Sequence, residues 1–389
     1  MSRSSVALAL VAALVAVLVA TAIGLVVYWP EERTVERPAN LTPAETEAAK
    51  VVGLRAVPCR LPGRRECQRV TVELESGPDE GTETIVSVGD PATEVALALG
   101  DEVRVFRNPV PRGAPAAVDR YSFADFERRQ PLLWLAVVFA LLVLVTGRWQ
   151  GLRALVGLAG SLLVVIGFIV PAILDGASPS GVALFGALAV MFVTIPLAHG
   201  FSAKTITACL GTTSSLVLTL VLAETFIELA HLTGFSSEEA VYLRASTGEL
   251  SIEGLMLAGM VIGALGVLDD LTVTQASTVL ALRRANPTQR FRELFGGALS
   301  VGHDHIAATV NTLFLAYAGA SLPILLVFNV GGTSFGDAVN GEAVAEQIVA
   351  MLVGSIGLIA AVPVTRALAA LLASRLSERE LARSHAHAH

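Results

Sequence analysis

The chain has 389 residues, of which 53% are hydrophobic and 16% are charged, and its mean hydropathy is +0.66. A soluble domain carries roughly 25% charged residues, so the composition excludes a soluble globular protein and predicts several membrane spans. The net charge of −7 decides little, because in such a protein charge matters by side of the membrane. The sequence contains no basic patch with interleaved aromatic residues, which argues against nucleic acid as a partner.

The first apolar run extends from Val6 to Tyr28 without a charge and is long enough to cross the roughly 30 Å hydrocarbon core. A signal peptide is the rival interpretation, because Ala20-Thr21-Ala22 resembles a cleavage site. The apolar stretch of a signal peptide is normally only about 7–15 residues long. We therefore predict a retained transmembrane anchor over residues 1–30.

Residues 31–130 carry 14 of the 27 basic and 18 of the 34 acidic residues, so they form a water-facing domain. Alternation from Arg69 to Glu75, turn residues from Gly77 to Gly81 and renewed alternation from Thr82 to Val88 predict a β-hairpin. The stretch from Glu94 to Phe106 predicts two more strands, joined at Gly100-Asp101. We expect a small β-barrel or sandwich, and nothing in it predicts catalysis.

Cys59 and Cys67 belong to this domain and are the disulfide candidates of the chain. Disulfides persist outside the cytoplasm, where we place the domain. Two free thiols are the alternative.

Seven further apolar runs predict a helical bundle over residues 131–372, followed by a tail over residues 373–389. They lie at approximately 131–147, 154–174, 181–198, 205–223, 252–268, 306–329 and 345–365. One set of flanking segments, with the N-terminus, holds 12 Lys and Arg residues, Arg366 among them, whereas the opposite set holds only Arg244. By the positive-inside rule, the fold is an α-helical multipass membrane protein of about eight helices. Both termini are then cytoplasmic, residues 31–130 are extracytoplasmic, and the location is the cell membrane.

Asp269 and Asp270 end the sixth apolar run, in the motif Leu-Asp-Asp-Leu-Thr-Val-Thr-Gln that includes Thr274 and Gln275. Ionisable side chains near bilayer depth are costly and usually mark a pathway, a ligand site or an ion pair. The polar stretch is interpreted as a helix or as a re-entrant segment. Interfacial aspartates exposed to water are the structural alternative.

A second motif, Asp-His-Ile-Ala-Ala-Thr-Val-Asn-Thr, opens the next apolar run. Asp304 follows a glycine and a histidine, so it is interpreted as a helix N-cap or as a site residue. Capping does not account for His305, Asn311 and Thr312, and Asn311 shares a helical face with Asp304. Asp269, Asp270, Asp304 and His305 are candidate ligands of a divalent cation, although their spacing matches no strict metal motif. We expect an aspartate of the first motif to approach the second.

The fifth apolar run contains four successive hydroxyl residues, including Thr212 and Thr213. At least two of the four must face the bundle, because successive residues cover all faces of a helical turn. A polar lining for a conduit is one interpretation, and a bent helix whose hydroxyls bond to preceding carbonyls is the other.

These motifs resemble those of the YibE/F family of multipass bacterial membrane proteins. The resemblance rests on Gly266 to Ser277, on Asp304 to Leu313 and its continuation through Pro323, and on the hairpin from Gly147 to Arg153. It covers most of the chain and implies the architecture above with a permease-like role. His303 departs from the family pattern, so His305 is the better candidate.

The leading hypothesis is a transporter or permease for a small polar solute or ion, with the bilayer as its surroundings. The residues predicted to line its path are Asp269, Asp270, Thr274, Gln275, Asp304, His305, Asn311, Thr312, Thr212 and Thr213. A membrane-embedded metal-dependent hydrolase is the second hypothesis. The third is a scaffold that binds an envelope partner, or a second copy of the chain, through the β-domain. No nucleophile motif or phosphate loop is present, so no catalytic residue is predicted.

Overall fold

The computed structural model describes residues 3–30, 46–57, 67–88, 95–108, 120–247 and 250–376. The side chains of a few residues inside these ranges, His303 and Asp304 among them, are outside the description. The chain divides into two compact units. One comprises Glu36–Leu142, and the other comprises Met1–Val35 with Val143–His389.

Among the described residues of the smaller unit, five antiparallel strands form one sheet in the order β3-β2-β1-β4-β5. The strands are β1 (Thr46–Val57), β2 (Cys67–Leu74), β3 (Glu83–Val88), β4 (Glu102–Arg107) and β5 (Tyr121–Phe126). The predicted hairpin is confirmed, since β2 pairs with β3 in register from Gln68 opposite Val88 to Glu73 opposite Glu83. The predicted strand from Glu94 to Gly100 is wrong for the described residues 95–100, which form no strand. Cys59 and the Cys67 side chain lie outside the described residues, so the disulfide stays a prediction.

The sheet buries alternate apolar side chains and curls, so that its two outer strands contact each other. Val70, Val105 and Tyr121 are at most 2% exposed. The Tyr121 hydroxyl, on β5, donates to Asp79 Oδ2 in the β2–β3 turn at 2.8 Å and links the two edges of the sheet. Burial, followed by this hydrogen bond and the charge of Glu47, raises the pKa of Tyr121 to about 12.

The larger unit is helical. Its helices, with α2 shared across the boundary, are α1 (Arg3–Val27), α2 (Arg129–Val164), α3 (Val170–Leu174), α4 (Pro179–His199), α5 (Ala203–Leu229), α6 (Glu238–Thr247), α7 (Ile252–Ala285), α8 (Phe291–Ala320), α9 (Leu322–Val330), α10 (Phe335–Asn340) and α11 (Glu342–Ala373). Ser251 and Ser334 begin α7 and α10 by accepting hydrogen bonds from the amides of Gly254 and Asp337. The first backbone amides of a helix have no acceptor within the helix, and a side-chain oxygen at this position supplies one.

Two breaks interrupt the long apolar helices. Arg148 has φ 51° and ψ −126° inside α2, which is not helical geometry. Gly151 lies against the carbonyl of Val143, so the chain bends sharply between these residues. The second break is at Ser321, just before Pro323, where α8 and α9 meet at 55°. Proline lacks the amide that would continue the helical hydrogen bonds, which accounts for this bend.

In the described part of the chain, six helices are long and apolar enough to cross a membrane, or seven if the bent pair α8–α9 counts as one span. One of the six is the continuous stretch Arg129–Leu174, which contains Arg148. The protein is therefore mostly helical, with several candidate membrane spans and a β-rich region towards its N-terminus.

Helices α4, α5, α7 and α11 form the centre of the bundle, with α8 against α7 and α11. Small residues allow two of these helices to approach closely. A Cβ at Gly211 of α5 would collide with Thr365 of α11, and one at Gly357 of α11 would collide with Thr219 of α5. Lipid tails are as apolar as leucine, so helices in a bilayer associate through such close packing and through interhelical hydrogen bonds.

Two sequence interpretations are wrong at the helix ends. The polar stretch after Asp270 is helical and not re-entrant, because α7 continues without interruption to Ala285. Asp304 is not an N-cap, because α8 begins at Phe291 and Asp304 lies well inside it. In both places a charged residue beside an apolar run favours an interruption, whereas the helix passes through it.

Candidate functional site

Polar side chains of α7 hydrogen bond to neighbouring helices on successive turns. Thr194 Oγ1, on α4, donates to Asp269 Oδ2 at 2.8 Å. One turn further on, the hydroxyls of Thr272 and Thr212, the latter on α5, lie 2.7 Å apart. Both threonines are fully buried, at 0% exposure.

The third contact joins α7 to α11. Arg366 Nε donates to Gln275 Oε1 at 2.7 Å, and the two side chains are 0% and 1% exposed. Residues three apart on an α-helix point in directions that differ by about 60° around the helix axis. Asp269, Thr272 and Gln275 therefore turn progressively around α7, which directs them to α4, α5 and α11. We call these three residues with Thr194, Thr212 and Arg366 the polar seam.

Several buried polar atoms in and beside the polar seam have no hydrogen-bond partner among the described residues. They are Asp269 Oδ1, Ser215 Oγ, Thr219 Oγ1, Thr365 Oγ1, and Nη1 and Nη2 of Arg366. In folded proteins roughly 90% or more of buried polar groups have a partner. This concentration of unpaired donors and acceptors distinguishes the centre of the bundle from an apolar helix core.

The structure brings three of the predicted site residues into the polar seam: Asp269, Gln275 and Thr212. Thr213 bonds instead to the carbonyl of Cys209 at 2.8 Å on its own helix. Asp270 is exposed, and Thr274 is half-buried. Of the four successive hydroxyl residues, Thr212 and Ser215 are buried, as expected for two that face the bundle.

The predicted residues of α8 are less closely tied to the polar seam. Asn311 and Thr312 are exposed, and the Thr312 hydroxyl bonds to the carbonyl of Ala308 at 2.9 Å. His305 is half-buried. The hydrogen bond of Asp269 goes to α4 and not to α8. Because the Asp304 side chain is outside the description, its approach to α7 stays a prediction.

Thr194, Thr272 and Arg366 are the polar-seam residues that are absent from the predicted site. The sequence places Arg366 in a segment that flanks the last apolar run, whereas the structure shows it fully buried within α11. A signal existed: Arg366 is the only charged residue between Glu346 and Arg375. A lone arginine inside an apolar run is a candidate site residue by the same cost argument that selected the aspartates.

Within the residues whose side chains are described, no group of three or more His, Cys, Asp or Glu residues is arranged to hold a metal ion. The set proposed from sequence included Asp304, which lies outside that description. A divalent cation therefore stays a prediction, with no described ligand set to support it.

A separate cavity of about 550 Å³ lies at the other end of α7, where that helix begins. Glu224 and Glu228 of α5, Glu253 of α7, and His231 contribute to its lining. These ionisable side chains lie at an open cavity, where contact with solvent accounts for their charge.

Long apolar helices around a buried polar centre define a multipass membrane protein with a polar interior. Residues 135–375 match the model of the YibE/F-like protein family. The match covers more than half of the chain, so this chain belongs to the YibE/F family. No curated protein and no solved structure matches the chain at a significant level.

Proposed function

We propose that the protein is a permease that moves a small polar solute or ion through the centre of its helical bundle. The observation that carries the proposal is the set of unpaired buried polar atoms around the polar seam. A polar group without a partner in an apolar medium costs several kcal/mol, to order of magnitude. Such groups are retained at the centre of a membrane bundle when water, an ion or a solute pairs with them during function.

The arrangement of the seam also favours transport over a scaffold. Its hydrogen bonds link α7 to α4, α5 and α11, so every central helix contributes one partner. If one helix moves relative to α7, one of these bonds opens and its donors and acceptors become available to a solute. A scaffold needs only close packing, which the glycine contacts between α5 and α11 already provide.

We further propose eight membrane spans. A straight helix over the 46 residues of Arg129–Leu174 would be about 69 Å long, more than twice the hydrocarbon thickness. The break at Arg148 divides it into two spans, and α8 with α9 supplies one more. Both termini are then cytoplasmic and residues 31–130 extracytoplasmic, in agreement with the asymmetry of Lys and Arg between the loops.

Water access to the seam tests the proposal without knowledge of the solute. In a variant that lacks the three native cysteines, Thr272→Cys and Leu358→Cys are each exposed to a membrane-impermeant, charged thiol reagent in native membranes. Both positions are at most 1% exposed, so they are matched in burial. We expect Thr272→Cys to react measurably, because a permease opens its polar path to water, and Leu358→Cys to stay unreacted. Equal inertness at the two positions would contradict transport and favour a scaffold.

Flux provides the second test. Proteoliposomes that enclose a pH-sensitive dye are challenged with small anionic, cationic and neutral solutes across a pH gradient. We expect Asp269→Asn, which changes the hydrogen bond to Thr194, to reduce uptake at least tenfold. Asp337→Asn, at an exposed position of the short helix α10, should leave uptake unchanged. Full uptake by Asp269→Asn would remove this carboxylate from the path.

A further inference from the structure

The guanidinium of Arg366 is buried as a charge with only one described hydrogen bond. The side chain has 0% exposure, and its Nε is bonded to Gln275. Nη1 and Nη2 are buried and have no partner among the described residues. All the described ion pairs join residues of the other unit, within residues 79–129. None of them involves Arg366.

The surroundings of the guanidinium are built to hold it in place. Gln275 Oε1, at 2.7 Å from Nε, sets the orientation of the guanidinium plane. Gly302 of α8 lies directly against Nη2, where any side-chain carbon would collide with it. The Thr365 hydroxyl, on the preceding residue, is also buried without a described partner. The guanidinium, which carries the two unpaired nitrogens, is therefore held in one position between α7, α8 and α11.

Arginine at such a position has a defined chemical preference. Its planar donors match two oxygens of a carboxylate or phosphate at once, and it stays protonated in proteins. A buried charge is tolerated when it is paired and hydrogen bonded. The glutamine that it contacts is neutral, so the pairing charge must come from elsewhere.

We infer that Arg366 recognises an oxyanion, a carboxylate or phosphate group, of the solute that the bundle transports. This inference rests on the proposed permease function and narrows its substrate class from a polar solute to an anionic one. The anion binds to Nη1 and Nη2 at the contact between α8 and α11, and Gln275 positions the guanidinium. The alternative source of negative charge is Asp304, which follows Gly302 by two residues on α8.

Direct binding tests the inference. The full-length protein in lipid nanodiscs is titrated with succinate and with inorganic phosphate, and the melting temperature and the equilibrium binding of labelled probe are measured. We expect saturable binding of at least one probe, with a rise in melting temperature. Arg366→Lys should weaken that binding at least tenfold, because an ammonium does not reproduce the two-pronged contact. Arg375→Gln, which removes a less buried arginine nine residues later on the chain, should change it less than twofold.

A variant with a shortened side chain at position 366 distinguishes a loss of anion binding from a loss of folding. Arg366→Ala leaves a space of the shape of guanidinium, so added guanidinium ion at low concentration should restore probe binding to this variant and not to Arg366→Lys. If Arg366→Ala does not fold, Arg366→Lys and Gln275→Leu provide the comparison, and Gln275→Leu should also weaken binding.

Three results would overturn the inference. One is the absence of saturable binding of either probe, and another is binding that Arg366→Lys does not change. The third is recovery of the melting temperature when Asp304→Asn is added to Arg366→Gln, because Asp304 would then be the partner. Since binding is measured without flux, a protein that binds the anion but carries nothing contradicts only the permease proposal. Uptake of cationic solutes that Arg366→Lys leaves unchanged contradicts only the anion inference.

Discussion

Replacing Gln275 by leucine removes the only described hydrogen-bond acceptor of a fully buried arginine. The bond from Arg366 Nε to Gln275 Oε1 is 2.7 Å long, and both side chains are at most 1% exposed. A hydrogen bond to a charged group contributes about 1.5–3 kcal/mol, and stripping a buried charge of its partner costs about 3–5 kcal/mol. Leucine has a similar volume, so little of the effect comes from a cavity. We expect Gln275→Leu to lower the free energy of unfolding by about 2–4 kcal/mol.

The opposite substitution sharpens the prediction. In Gln275→Glu a carboxylate accepts the same hydrogen bond and neutralises the guanidinium, so this variant should be at least as stable as the wild type near pH 7. Gln347→Leu is the matched control. It makes the same exchange on α11 at a half-buried position beside a cavity. Its effect should stay within about 0.5 kcal/mol, as for most substitutions away from buried networks.

Unfolding in mixed micelles of dodecyl maltoside and sodium dodecyl sulfate measures all three variants, with tryptophan fluorescence as the signal. The reasoning fails if Gln275→Leu is as stable as Gln347→Leu. It fails equally if Gln275→Glu is the least stable of the set, because Arg366 would then already have a negative partner in the folded protein.

Three further predictions concern packing, ionisation and topology. Gly211→Ala should be about 1–3 kcal/mol less stable than Gly266→Ala in the same micelle assay, because both substitutions gain helix propensity but only the Cβ at 211 meets Thr365. Equal stability of the two variants would contradict the close α5–α11 contact. The phenol of Tyr121, isolated as the difference in absorbance at 295 nm between wild type and Tyr121→Phe, should titrate near pH 12. Its raised pKa contributes to the free energy of unfolding below pH 10, and this contribution is lost as the pH rises towards 12. Titration of the phenol near pH 10 would refute its burial against Asp79. In a cysteine-free background, Asp337→Cys should react with an impermeant reagent only from outside the cell and Thr288→Cys only from inside, and reversed labelling would refute the proposed topology.

Local patterns in the sequence determined the elements whose stability is itself local. The alternation from Arg69 to Val88 determined the hairpin β2–β3, because a tight turn brings adjacent strands together. The lengths of the apolar runs determined most of the candidate spanning helices, because a helix within a bilayer must satisfy its own backbone groups. The two polar motifs were sufficient to identify the family, because each is a short continuous run of polar residues within an apolar segment.

Other features depended on contacts between distant parts of the chain. The central strand β1 pairs with β2 on one side and β4 on the other, and β5 lies on β4, so their places follow from partners and not from local alternation. The stretch after Glu94 alternates like a strand, yet its described residues 95–100 form none.

The polar seam shows the same division. Asp269 and Gln275 could be selected from the sequence, since polar residues beside an apolar run are costly in a membrane. Their partners could not, because Thr194 and Arg366 lie 75 and 91 residues from the α7 residues that they contact. Thr212 was selected from its run of hydroxyl residues, but its contact with Thr272, 60 residues away, was not. The sequence by itself determined which segments are long and apolar enough to cross a membrane and which of their residues are polar. Only the tertiary structure decided that Arg366 is buried, because that outcome depends on how α7, α8 and α11 pack around it.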